Sequence, residues 1–282
     1  MLLKRKTSAE TLKLQEKYGV PYLVFPSLEN TGLVRHAFST RLGGCSTGDL
    51  ATMNLSSTRG DDPENVKENF RRFGAAVGFD PKDLVLSLQT HTTNVRLVTE
   101  EDRGKGFTRP RDYKDVDGLI TNVPGLVLAT FYADCVPLYF VDPVHRAIGL
   151  SHSGWRGTVN RMGAVTLQRM EEAFGTSPSD VWTAIGPSIC QDCYEVSEDV
   201  AQEFISAFEG WVDDRLLYRK ENGKYQLNLW RANELVLLES GVPKDRIAVT
   251  DICTCCNPQV LFSHRASKGK RGNLGAFLQL LS

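Results

Sequence analysis

The stretch YADCVPLYF, residues 132–140, sets a cysteine beside an aspartate at the mouth of an apolar run, and SHSGWRG, residues 151–157, follows shortly after. A strand core has no use for an acid, and an unpaired buried carboxylate is costly. Asp134 and Cys135 therefore either cap a turn or do chemistry. PLYFVD (137–142) and AIGLSHS (147–153) have strand composition, and DPVHRA between them turns the chain. Antiparallel pairing about that turn places the start of the first strand beside the end of the second, and those ends carry Cys135 and His152. Thiolate and imidazole are ligands for zinc or copper. His91, in the polar island LQTHTTNV with Gln89, Thr90, Thr92 and Thr93, offers a third ligand. Three protein ligands with a fourth position open is the catalytic pattern, whereas structural zinc is closed by four. The competing reading is a buried thiol and two histidines satisfied by backbone groups.

Five other cysteines supply a second candidate set. Cys190-x-x-Cys193, with Cys253, Cys255 and Cys256, could close a zinc site of four thiolates. Read as C-x-C-C, the second half departs from the usual ligand spacing, and these thiols could equally be packing residues near strand ends. FSTRLGGCSTG (38–48) is a glycine turn with Ser39, Arg41 and Ser46, able to hold an anion through a guanidinium and turn amides, or to be only a turn. DVDGLIT (115–121) sets Asp115 and Asp117 before a glycine, which is ordinary turn chemistry. Trp155 and Arg156 suit a helix N-terminus. Neither a GxGxxG nor a P-loop sequence is present, so no nucleotide fold follows.

These groups need a scaffold, and the chain is long enough for a large core at 282 residues. With 41% hydrophobic and 24% charged residues it has the composition of an ordinary globular protein. Its 33 basic and 34 acidic side chains balance, which leaves no electrostatic footprint for nucleic acid and no attraction to an anionic membrane. Small molecules are the expected partners. No run approaches the roughly 20 apolar residues of a membrane helix. The opening MLLKRKTSAETLKLQEKYG lacks the apolar region of a secretory signal, and seven cysteines is an odd count for a disulfide framework, so a cytoplasmic protein with reduced thiols is expected. Strands are expected at GLVLATFY (125–132), PLYFVD, AIGLSHS, DVWTAIG, RIAVTDI and LGAFLQLL. Helices are expected at RMGAVTLQRMEEAF, at SEDVAQEFISAF with Ser197 as N-cap, and at LWRANELVLLESG ending at Gly241. Glu100–Gly118 is an exposed loop, and Glu221-Asn222-Gly223 a hairpin turn. The alternation predicts an α/β (α+β) fold in one domain, with helices packed on a mixed β-sheet.

FSTRLGG…MNLS, LQTHTTNV, DVDGLIT, ADCVPLYF, SHSGWRG, GPSICQDCYEV and ICTCCNPQVLFSHRAS follow one another in a single order. In this the chain resembles the multicopper polyphenol oxidase or "laccase-domain" family, whose members are regarded as purine nucleoside phosphorylases. The resemblance runs from about Val34 to the C-terminus, which divides the chain into an N-terminal extension (1–33) packed on one domain (34–282). It implies a metal site at His91, Cys135 and His152, with Zn2+ as the usual occupant and Cu2+ invoked for oxidase activity. It also implies phosphorolysis of adenosine, inosine and methylthioadenosine, and deamination of adenosine. Relatives are further linked to editing of peptidoglycan precursors.

The expected catalytic residues are then Cys135, His91, His152 and Asp134, and the expected substrate-binding residues Arg41, Gln89, Asp117 and Arg156. Zinc supplies the Lewis acid for deamination. Zinc deaminases add a Glu from an H-x-E motif; this chain has none, so Asp134, Asp117 and Glu195, in that order, are the candidate proton shuttles. For phosphorolysis, Arg41, Arg156 and the glycine turn form the expected phosphate cradle. Copper oxidation of phenols is the alternative, weakened by five histidines, too few for several copper centres. Amide hydrolysis on peptidoglycan precursors is the other.

Overall fold

The structure, a computed structural model, describes residues 3–282. The first two residues of the expected 1–33 extension lie outside the described residues. The strands are β1 (Lys13–Lys17), β2 (Val20–Val24), β3 (Val34–Ser39), β4 (Leu84–Leu86), β5 (Val95–Leu97), β6 (Gly118–Thr121), β7 (Val127–Tyr132) and β8 (Val136–Asp142). They continue as β9 (Ala147–Ser153), β10 (Trp182–Ile185), β11 (Glu195–Val196), β12 (Leu217–Arg219), β13 (Tyr225–Leu227), β14 (Ile247–Val249) and β15 (Leu274–Leu280). The α-helices are α1 (Pro26–Glu29), α2 (Pro63–Val77), α3 (Trp155–Val159), α4 (Met162–Phe174), α5 (Glu198–Ala207), α6 (Leu229–Glu239) and α7 (His264–Ser267).

Two six-stranded sheets carry the fold, in the orders β1-β2-β3-β15-β7-β4 and β14-β10-β8-β9-β6-β5. Both are mixed: β4 runs parallel to β7, β5 to β6 and β14 to β10, while the other neighbours are antiparallel. Alternate residues of a strand face opposite sides, and the buried clusters follow that period. Tyr139, Val141, Ile148 and Leu150 of the second sheet meet Leu23, Phe38, Leu128 and Leu278 of the first. Val136, Leu138 and Phe140, on the other face of β8, pack with Met162 and Met170 of α4 and Leu235 of α6. Val127, Ala129 and Phe277 pack with Phe70 and Phe73 of α2. The layers are therefore helix, sheet, sheet, helix. Strands buried on both faces explain why β7, β8, β9 and β15 are nearly continuous apolar runs.

The expected mixed α/β class with helices on the sheets is what the molecule shows, with two large sheets where one was expected. The expected late elements lie at α4, α5, α6, β14 and β15. Ser197 holds the cap position of α5, but its hydroxyl makes no capping bond to the helix. Asn222-Gly223 turns the β12–β13 hairpin, with Gly223 at φ +79°. The segment before Val34 contributes β1, β2 and α1, and β2 pairs directly with β3. Helix α2 begins at an Asp62 side chain that accepts from the Glu64 amide and ends at Gly78 in the left-handed region. Among the described residues no helix is long and apolar enough to cross a membrane.

Phe277 is 1% exposed, and its ring lies 4.8 Å from Phe73 and 5.4 Å from Phe79. Phe277→Ala therefore opens a cavity beneath α2 and is expected to cost about 3–5 kcal/mol of stability. Urea unfolding, followed by circular dichroism, measures this.

Candidate metal centre and cavity

The β8–β9 hairpin pairs Val136 with Ser153 and Pro137 with His152. Asp142 fixes its turn, accepting from the amides of Val144 and His145 and from the His145 ring. Register alone thus sets Cys135, just before β8, opposite Gly154, just after β9. His91 comes from the loop between β4 and β5. One ligand atom each from His91, Cys135 and His152 lies within 4.8 Å of the others, with Cys135 Sγ 4.0 Å from His91 Nε2. Tetrahedral zinc bound to nitrogen and sulfur would set such atoms about 3.5 Å apart, so the trio has the donor set for an ion that would draw its atoms closer together.

Asp117 holds the trio in place. It is fully buried, at the entrance of β6. Its carboxylate accepts from the backbone amides of Thr90, His91 and Thr92, from the Thr92 hydroxyl and from His152 Nδ1, all at 2.8–3.1 Å. Its carbonyl accepts from the His152 amide at 2.7 Å. The bond at Nδ1 turns His152 Nε2 toward the cluster, an outer-shell arrangement typical of metal-bound histidine. The amide bonds hold His91 at φ +65°, a left-handed conformation uncommon outside glycine. Gly154 supplies the space. Its φ of −73° suits any residue, but a Cβ there would sit 3.0 Å from His91 Cδ2 and 3.2 Å from Cys135 Sγ.

The electrostatics favour a thiolate. Burial pushes the Cys135 thiol up, but the charge and hydrogen bond of His152, helped by His91, bring it down to about 6. Burial works to lower His152; the charge of Cys135 and the bond to Asp117 raise it to about 9. Burial would likewise raise Asp117, and its bond to His152 brings it below the usual carboxylate range.

The trio forms the floor of a cavity of about 370 Å³. Phe70, Phe107 and Phe131 give it apolar walls, and Arg59, Lys67, Arg111 and Arg271 give it positive charge. No Asp or Glu is among its lining residues. Burial, and then repulsion from Arg59, hold the Arg271 guanidinium down to about 10. Lys67 is paired with Glu64, but Arg59, Arg111 and Arg271 form no salt bridge among the described residues, and positive charge of that kind attracts an anion. A second depression, lined by Lys82, Glu100, Glu101, Arg103, Thr108 and Arg109, carries its own paired charges and none of the trio.

The other expected site residues take different places. Arg41 donates to the carbonyls of Ala51 and Pro258 and stacks over Phe262, and it does not line the cavity. Its glycine turn is filled by backbone: a Cβ on Gly44 would meet Thr52 O at 2.2 Å, and one on Gly43 would meet Gly19 O at 2.7 Å. The expected anion cradle therefore lies apart from the cavity of the trio. Arg156 lies exposed over the Trp155 ring and also lies outside the cavity lining. Gln89 lines the cavity, but its amide is bound to both backbone groups of Phe131. Asp117 orients ligands and is too buried and too fully bonded to meet substrate. Asp134, at φ +87°, accepts from the Thr254 hydroxyl at 2.6 Å and the Arg265 amide at 2.7 Å, which makes it a clasp between loops and a poor proton shuttle. Glu195 is bonded to Lys220 and Lys224, which hold it near 2, far from the range for proton exchange at neutrality. The cationic residues of the cavity were not singled out from sequence, although Arg271 sits in the basic run KGKRGN.

Residues 35–281 match the family described as multi-copper polyphenol oxidoreductase laccase. The chain belongs to that family. A relative from Bacteroides thetaiotaomicron, named purine nucleoside phosphorylase, is 37% identical over 89% of this chain and 93% of its own length. Another, named adenosine deaminase RL5, from an unknown prokaryotic organism, is 33% identical over 81% of this chain and 87% of its own. The crystal structure of YlmD from Geobacillus stearothermophilus superposes with a TM-score of 0.87 at 33% identity, over 95% of this chain and 99% of that one.

Two outcomes are expected. Gly154→Ala should leave the circular dichroism unchanged yet weaken zinc binding at least about tenfold by displacing His91 and Cys135, as competition with a chromophoric chelator would show. In the metal-free protein, alkylation of Cys135 tracks the thiolate. Its rate should therefore rise through a midpoint near pH 6 and level off above it, as peptide mass spectrometry reads, while an ordinary thiol keeps accelerating to about pH 8.5.

Proposed function

We propose that this chain is a zinc-dependent purine nucleoside phosphorylase acting on adenosine, inosine and methylthioadenosine. The observation that carries the reading is a three-ligand cluster at the floor of a cavity lined by four cationic side chains and no carboxylate. Zinc held by His91, Cys135 and His152 would supply a Lewis acid. Asp117 keeps both histidines aimed. Arg271 and Arg59 are the groups best placed to hold phosphate, since an anion between them relieves their mutual repulsion. Phe70, Phe107 and Phe131 offer flat apolar surface to a purine and exclude water from it. In the reaction a phosphate oxygen bonds to C1′ of the ribose, the C1′–N9 bond breaks, and the base leaves with its electron pair and takes up a proton. The family and the relative named purine nucleoside phosphorylase support this reading.

Adenosine deamination is a second activity of the same cavity, supported by the relative named adenosine deaminase. It is secondary because no carboxylate lines the cavity to carry a proton. Copper oxidation of phenols is weaker again. Beyond the trio, His36 accepts from the Phe25 amide and is held near 3 by burial, and His145 is bonded to Asp142. Among the described residues no further histidines gather into a second copper centre.

The test is base release from inosine with and without phosphate. Wild type is expected to require phosphate, a folded Cys135→Ala variant to be inactive, and Arg271→Ala to raise KM for phosphate roughly 10- to 100-fold, the loss of a charged hydrogen bond. Phosphate-independent release, or release that survives in Cys135→Ala, overturns the reading; if no base is released, amide hydrolysis is the next assay.

A further inference from the structure

Beyond the catalytic trio, four thiols converge at a separate point in the fold. Cys190 and Cys193 bracket the turn that leaves β10 for β11, and Cys253 and Cys256 bracket the turn that follows β14. Read as Cys253-x-x-Cys256, the second pair repeats the spacing of the first, and Cys255 stands outside the set. β10 and β14 run parallel and in register, so the two turns emerge side by side, joined by a bridge between Ser188 and Cys253. All four sulfurs lie within 4.8 Å of one another. Cys193 and Cys256 are 3.5 Å apart. Four zinc–sulfur bonds of about 2.3 Å in a tetrahedron set sulfurs about 3.8 Å apart, whereas a disulfide needs about 2.05 Å. The sulfurs are thus spaced for a shared cation. The amides of Cys190 and Cys256 donate to Cys253 Sγ at 3.2 and 3.4 Å, bonds that favour sulfur carrying negative charge. Cys190 and Cys253 are buried and the other two partly so, and none of the four lines the cavity of the trio.

We propose that Cys190, Cys193, Cys253 and Cys256 bind a second zinc ion, structural and closed, distinct from the ion of the catalytic trio. Its place explains what it supports. Ile189, next to Cys190, donates its amide to the Asp134 carbonyl, and Thr254, between Cys253 and Cys256, donates its hydroxyl to the Asp134 carboxylate. Both turns gripped by the ion therefore seat Asp134, the neighbour of Cys135. The N-terminal segment is tied to the same knot, since Asn257 exchanges hydrogen bonds with both backbone groups of Lys4 and Lys6 pairs with Asp192. Asp134 is accordingly a positioning residue, and the second ion fixes the turn from which the catalytic thiolate projects.

The test counts metal by plasma mass spectrometry on full-length protein purified with zinc. Wild type should carry two zinc ions per chain. Cys135→Ser, which damages only the open site, should keep one, and X-ray absorption of that ion should show sulfur alone at about 2.3 Å. Cys193→Ser should lose the closed-site ion. The Cys135→Ser measurement stands even if Cys193→Ser does not fold. A single zinc in wild type with none in Cys135→Ser overturns the proposal. So does an intact mass lighter by about 2 Da and restored by reductant, which would make Cys193 and Cys256 a redox pair instead.

Discussion

One buried carboxylate organises the centre of this molecule. Asp117 is surrounded by donors: three successive amides of the 90–92 turn, one hydroxyl and one imidazole. A charged carboxylate in so dry a place would be prohibitive without them. Because it is at once the entrance of β6 and the anchor of the His91 loop, it welds the loop to the second sheet. Both histidines of the trio are aimed by this single group, and the third member is brought to them by nothing more than hairpin register. Removing Asp117 would leave the histidines present but unaimed.

The layered architecture puts that weld at a protected edge. The two sheets bury a common core, and α2 on one outer face and α4–α6 on the other cover what remains. The cavity draws its cationic residues from the loop after β3 (Arg59), from α2 (Lys67), from the loop between β5 and β6 (Arg111) and from the chain before β15 (Arg271). Chemistry is thus divided. Cys135 and His152 come from the ends of the β8–β9 hairpin and His91 from the loop between β4 and β5, while the charge comes from α2 and three loops.

What could be read from the residues follows the range of the forces involved. The β8–β9 hairpin and its paired Cys135 and His152 were legible because a short turn and a period of two determine who faces whom. The long apolar strands and amphipathic helices were legible for the same local reason. Strands of three residues, such as β4 and β5, are too short to display a period, and their existence depends on partners far along the chain. Helix α2, absent from the expected elements, nonetheless carries local signals, with Asp62-Pro63 at its start and Gly78 at its end. Arg41 stood out because glycine turns often hold anions, but only tertiary packing tells such a turn from one filled by its neighbours. Asp134 and Glu195 looked like free acids because sequence does not display Thr254, Arg265, Lys220 and Lys224 closing on them. Arg271 was the converse, a cation bonded to Asn273 and a carbonyl but to no carboxylate, which is visible only in three dimensions.

The spacing of the ligands along the chain has its own consequence. His91, Cys135 and His152 are drawn from three separate stretches, and the two cysteine pairs from turns 63 residues apart. Neither set exists in an unfolded chain, so affinity for metal is stability by another name. A slip of one residue between β8 and β9 would send His152 to the opposite face of its sheet and dissolve the trio while most of the backbone hydrogen bonds survived. A metal bound by the trio would thus act as a proofreader of strand register, favouring the one alignment that brings its ligands together.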